Sequence, residues 1–334
     1  MEITEPKFNN LSRHEFTLLK NDLSAKGFLE PQPNYYFIRS FFVVSLLLFS
    51  IVLIVTIDNF YLQIFNAILL SFALTQISFI THEVIHRHAW KNDFIDLIFG
   101  NLLMGMSCSW WFDKHNKSHH FHTNEPGLDP DIEAPFIAFT KEQFDSLERL
   151  KKQVVRYQPY YFLPALLLVA VYMRLESIQF LIQNRVKYRL AEIIFIILHF
   201  LLYFGLLFTQ LPARQAVIFV IINQSLFGLY MGLVMAINHI GMPVMDDSIK
   251  NDYIRKHVVT SRNLNPHPFN DFFYGGVTTQ IEHHLFPEIP VNKMVQARKI
   301  VKAFCLSKGI SYHEVGINQA YQEVIQNLHS ISSR

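Results

Sequence analysis

The alternation of apolar and polar stretches along this chain predicts helices that cross a membrane. Residues 37–57 are apolar apart from Arg39 and small polar side chains, and residues 60–80 are apolar again after a turn at Asp58 and Asn59. Each run has about the 20 residues that a bilayer core requires, so the two form a helical hairpin. Residues 190–209 and 213–237 repeat the arrangement, with Leu211 and Pro212 making the turn. Residues 94–112 are also apolar but are broken by Asp96, Gly100, Asn101 and Gly105 and end in Trp110 and Trp111. That pattern predicts a helix lying in or dipping into the interface, with the two indoles as anchors. Residues 160–173 reach Arg174 and Glu176 too soon to form a span.

Composition agrees with this reading. The chain is 51% hydrophobic and only 17% charged, whereas a soluble domain carries about a quarter charged residues. A formal net charge of +2 is too small to suggest a nucleic-acid partner. Cys108 and Cys305 are the only cysteines, which excludes a disulfide framework and fits a reducing compartment. The polar stretch 1–34 precedes the first apolar run, so no signal peptide is expected. Nothing in 1–35 resembles an appended electron-carrier domain, and a redox partner is expected to be separate.

Histidine clusters then fix the expected topology. His82 and His86, His115 with His119 and His120, and His283 with His284 stand far apart in sequence, each beside hydrophobic stretches. If all lie on one side of a membrane, the number of spans between any two must be even, which two hairpins satisfy. Lys and Arg are plentiful in 82–189 and after residue 250, which places the termini and the clusters in the cytoplasm. The expected fold is one all-α membrane domain, 1–334, with four transmembrane helices as two hairpins and a cytoplasmic helical cap over the histidines. Its parts are a cytoplasmic segment 1–36, a first hairpin 37–80, a cytoplasmic or interfacial region 81–189, a second hairpin 190–237 and a cytoplasmic region 238–334. Residues 291–334 are expected to pack as helices over the site.

His82 and His86 are spaced i, i+4, so both rings share one helix face. His115 and His119 repeat that spacing, with His120 rotated by roughly 100° toward a neighbouring metal. His239, beside Asn238, falls at the cytoplasmic end of the last span, and Asn238 is placed to bond a metal-bound water. Neutral imidazole is a common ligand for iron, zinc and copper. So many imidazoles exceed one tetrahedral zinc and suggest two metals with open positions. Carboxylate-rich di-metal bundles need two Glu-x-x-His pairs plus further Glu, and only Glu83-Val84-Ile85-His86 fits that pattern. His88 and His122 read as supporting residues, and His199, in mid-span, as functional or bonded to a neighbouring helix. His14, His257, His267, His313 and His329 stand alone and read as surface residues.

With these motifs, His82-Glu83-Val84-Ile85-His86, His115-Asn116-Lys117-Ser118-His119-His120 and Gln280-Ile281-Glu282-His283-His284, the chain resembles the membrane fatty acid desaturases over about residues 37–300. Trp110 and Trp111, Asn238 and His239, Gly275 and Gly276, and Leu285-Phe286-Pro287 are similar to the family as well. The resemblance implies a cytosol-facing centre of two iron ions that uses O₂ and two external electrons to remove two hydrogens from a fatty acyl chain. The acyl chain would be carried on CoA or a lipid, and the electron donor would be of ferredoxin or cytochrome b5 type. By matching motifs the ligands are His82, His86, His115, His119, His120, His239, His283 and His284, with Gln280 near the metals. Glu83, Asp129 and Glu282 are implied to orient imidazoles, against simpler roles as solvated or turn residues. Gln280, where many members have histidine, is similar to front-end desaturases, which act between an existing double bond and the carboxyl end. Glu83 in the first motif and the three residues between His115 and His119 depart from the usual pattern and bear on regiochemistry.

Other readings share some of these residues. His82-Glu83-Val84-Ile85-His86 is also the zincin motif, which would make Glu83 the general base of an intramembrane zinc protease, but that leaves the other clusters without a purpose. A metal sensor or carrier would spread its ligands across the membrane. A lipid hydroxylase would use the same site.

Overall fold

The computed structural model describes residues 10–87, 90 and 92–333, and the described chain is mostly helical. Its internal contacts divide it into two compact units: Met1–Pro31, Lys114–Phe162 and Val234–Arg334 in one, and Gln32–Asp113 and Leu163–Leu233 in the other.

The second, apolar unit contains the long helices Pro33–Thr56, Phe60–Ile85 and Arg189–Gln210 and most of Ala213–His239. These four are long and apolar enough to cross a membrane, as the hydropathy pattern predicts. Asn59 ends the first turn by accepting backbone bonds from Tyr61 and Leu62, which caps the second helix. Phe37, Phe41, Phe49, Phe65, Leu201 and Leu202 leave their side chains exposed; in water this would be a large apolar patch, and in lipid it is the solvated face. The interior of the unit holds a polar chain. Ser71 donates to the Asn223 carbonyl, Tyr203 donates to the Asn223 side chain, and Arg174 donates to Gln224.

The end of the stretch read as lying in or dipping into the interface packs inward. A π-helix, Leu97–Met104, turns at Gly105 in the left-handed region and leads into Cys108–Trp111. Trp110 and Trp111 are buried, 5% and 8% exposed, and so do not serve as outward anchors. The cause is Glu192, a buried carboxylate that accepts from Ser107 and Ser109 and from Asn101 and holds the loop in place. His199 meets the Leu102 carbonyl through Nδ1 at 2.8 Å, the neighbour-bonded one of the two roles read for it.

In the first unit, the helix Asn10–Ala25 supplies Leu19 and Leu23 to a core with Ile254, Val258, Ile281, Leu285, Phe286, Met294, Ala297 and Val301. The expected C-terminal helices are Val291–Ser307 and Ile317–Ser332. A short parallel pairing of Asn263–Leu264 with Glu314–Val315 ties the segment before the third motif to the chain between those helices.

Candidate metal centre

The second motif lies on a π-helix, Phe112–His119, that continues into His120–His122. Wider winding of this kind brings residues five apart into line. His115 and His120 therefore share a face with Nε2 atoms 3.2 Å apart, although α-helical geometry predicts His120 to be rotated away. The extra residue in this motif is what the wider turn accommodates. His283 comes from the short helix Gln280–Leu285 and places Nε2 3.1 Å from His120 and 3.5 Å from His115. Three nitrogens in mutual contact cannot all be satisfied by neutral rings, because at least one pair must be two donors or two acceptors. A cation at their meeting point removes the conflict.

His119, His239 and His284 form a second group, all buried, with ligand nitrogens within 4.8 Å of one another. Each ring is held from behind. His119 Nδ1 lies 2.9 Å from Asp129, His239 Nδ1 lies 3.0 Å from the Thr260 carbonyl, and His284 Nδ1 lies 3.1 Å from Thr123 Oγ1. A proton on Nδ1 of His239, donated to that carbonyl, leaves the Nε2 lone pair facing inward, which is how an imidazole is prepared for a metal. Gln280 caps this group. Its Nε2 is 3.0 Å from His239 Nε2 and 2.9 Å from His284 Nε2, and its Oε1 accepts from Asn238 at 3.3 Å.

Electrostatics differ from ring to ring in this group. Burial opposes a charge on His119, yet Asp129 and Asp131 outweigh it and raise its pKa to about 9. Burial and the surrounding imidazoles drive His284 well below the usual range. Asp129 is fully buried; its Oδ1 accepts from the Asp131 N–H and its Oδ2 from the Asn124 N–H, so it is fixed as an acceptor. Glu282 is buried rather than solvated. Burial lifts its pKa to about 7 against hydrogen bonds from Asn263 and Tyr312. It faces these two residues, and its carboxylate meets no imidazole hydrogen bond among the described residues.

His82 and His86 lie in the apolar unit at the end of Phe60–Ile85, with ring centroids 4.7 Å apart on one face as predicted. Glu83 is buried there. It meets His82 Nδ1 at 3.1 Å and accepts from Tyr36 at 2.6 Å. His88 lies outside the described residues. His122 pairs with Glu125 near the surface. Among the histidines expected at the surface, His257 is the exception: it is 1% exposed, with its ring 5.6 Å from that of His284. The signal was available in the helical stripe Ile254, His257, Val258, Ser261. Thr123 and Thr260, which hold two of the rings, gave no signal of their own.

The fatty acid desaturase family model matches residues 59–316. The chain belongs to the fatty acid desaturase family. It is an oxidoreductase that desaturates fatty acyl chains, and its buried imidazole groups suit the iron on which that family depends. Among its relatives, a Delta(6)-fatty-acid desaturase, fat-3, of Caenorhabditis elegans is 32% identical over 320 residues, covering 89% of this chain and 70% of that protein. A Delta(5) fatty acid desaturase, fat-4, of the same organism is 28% identical over 89% of this chain and 69% of its own length. A Delta(8)-fatty-acid desaturase of Euglena gracilis is 26% identical over 91% of this chain and 75% of its own length.

Proposed function

We propose that this enzyme is a front-end desaturase that inserts a cis double bond into an already unsaturated fatty acyl chain carried on CoA or a lipid. The observation that carries the reading is Gln280, the distinctive residue of the third motif, standing against His239 and His284. Relatives named for positions 5, 6 and 8 support it.

The proposed ligands for two iron ions are His82, His86, His115, His119, His120, His239, His283 and His284, a set drawn from the sequence motifs, with the Nε2 contacts above supporting His115, His120 and His283. When bound, the irons would supply oxidation of an unactivated C–H bond by O₂ with two electrons from a separate ferredoxin-type or cytochrome b5-type carrier. The protein's own residues do the rest. Asp129, Thr260 and Thr123 hold Nδ1 of three rings so that Nε2 faces inward. Glu83 does the same for His82 with Tyr36 behind it. Asn238 donates to Gln280 Oε1 and so fixes the amide whose nitrogen stands against His239 and His284. In the proposed topology the four long helices cross the membrane as two hairpins, with termini and histidines in the cytoplasm and the remaining helices as a cap.

The test is expression in a host supplied with fatty acids of varied length and unsaturation, followed by mass-spectrometric location of new double bonds. A new bond between an existing one and the carboxyl end is the expected result. New bonds only on the methyl side, or no new unsaturated product with either carrier, would overturn the reading.

A further inference from the structure

His257 has no part in the ligand set, yet it is sealed inside the protein against His284. It sits on the helix Tyr253–Val259, 1% exposed, and its Nδ1 meets no hydrogen-bond partner among the described residues. A buried polar ring with an unmatched nitrogen is costly as a filler, because a leucine or phenylalanine would pack there without that cost. Its value must lie in the ring itself. On one side it faces His284 at 5.6 Å; on the other it meets Tyr253 edge-on at 4.5 Å. Tyr253 is half-buried, packs edge-on against Phe16 at 4.8 Å, and directs its hydroxyl to the Leu285 carbonyl at 3.3 Å. Phe16 in turn stacks on Phe286 at 5.2 Å. The result is an unbroken run of π systems from a half-buried tyrosine to the imidazole of His284. That imidazole is the hub of the cluster, with the rings of His119, His120 and His239 at 4.9, 4.4 and 4.8 Å.

We propose that Tyr253 and His257 form the route by which single electrons from an external carrier protein reach the metal centre at His284. The inference rests on the metal-centre reading given above. Electron tunnelling weakens steeply with distance and more steeply across gaps than through packed matter, so ring-to-ring contact is what such a route requires. Phe16 and Phe286 pack apolar rings beside it. In each passage the carrier is oxidised by one electron and one ferric ion is reduced to ferrous. The rings themselves are neither oxidised nor reduced overall, and no bond forms or breaks. His257 acts through His284 and is a positioning residue for the electron.

The test uses purified, iron-loaded full-length enzyme in detergent, with iron content measured for every variant. Under anaerobic conditions, bleaching of the ferric absorbance is followed with saturating reduced cytochrome b5 or reduced ferredoxin, whichever reduces the wild type, and separately with dithionite. His257→Leu should slow reduction by the protein carrier several-fold and leave reduction by dithionite unchanged, while His257→Phe, which keeps a ring, should recover most of the rate. Tyr253→Leu should show the same split. Wild-type rates with the protein carrier in both leucine variants would overturn the route, as would equal slowing with both reductants or loss of iron from both. A wild-type protein that holds no iron would instead sink the metal-centre reading, and the route with it.

Discussion

The side-chain amide nitrogen of Gln280 stands 2.9 Å from Nε2 of His284, so the residue that departs from the common third motif touches the inward nitrogen of a neighbouring histidine in the same motif. Removing that amide leaves His239 and His284 without their shared neighbour. Gln280→Ala should lower desaturation by about 10–100-fold, the usual range for residues that hold metal ligands. Product formation and iron content, measured together, check this; wild-type values for both would show that the amide has no role at the centre.

Asp129 holds His119 from behind while accepting two backbone N–H groups. Asp129→Asn keeps the shape but can accept at one oxygen only, so its amide nitrogen faces a backbone N–H that the carboxylate satisfied, and it removes the negative charge beside His119. Iron retention during dialysis against a chelator should fall by about 10–100-fold in affinity, and the melting temperature should fall as well, because a buried backbone N–H loses its acceptor. Unchanged retention would place the support of His119 elsewhere.

Lys256 is buried, and burial lowers its ammonium pKa from 10.5 to about 8 while Nζ donates to the Phe121 carbonyl at 2.8 Å. The folded value lies below the unfolded one, so between pH 8 and 10.5 the unfolded chain binds the extra proton and stability rises with pH. Below that window the buried charge costs about 3 kcal/mol from this group. Lys256→Met should therefore gain most against the wild type near neutrality and lose that advantage as the pH climbs through the window. Thermal melts across this range give the answer, and a constant difference between the two proteins would contradict it.

Gly105 has φ +72, and a methyl group placed there would run into the ring of His199. The left-handed conformation alone costs a non-glycine residue about 1–2 kcal/mol, and displacing His199 also breaks its bond to the Leu102 carbonyl. Gly105→Ala should lower the melting temperature in detergent clearly, and Gly105→Ala combined with His199→Ala should recover part of the loss. No loss in the single variant would mean that the loop shifts freely.

Much of this protein was legible before any fold was known. A bilayer core imposes a length and an apolar character that each helix must meet with its own residues, so four long helices could be read directly from the runs of Phe, Leu and Ile. The chemistry was legible for a similar reason: few purposes other than metal binding call for so many histidines in motifs of fixed spacing. Only the tertiary structure decided the rest. It wound the second motif as a π-helix that aligns His120 with His115, turned Trp110 and Trp111 inward around Glu192, and buried His257. It also chose which nitrogen of each ring faces inward, through Asp129, Thr260 and Thr123. Such outcomes depend on contacts between residues distant in the chain, and local periodicity carries no record of them.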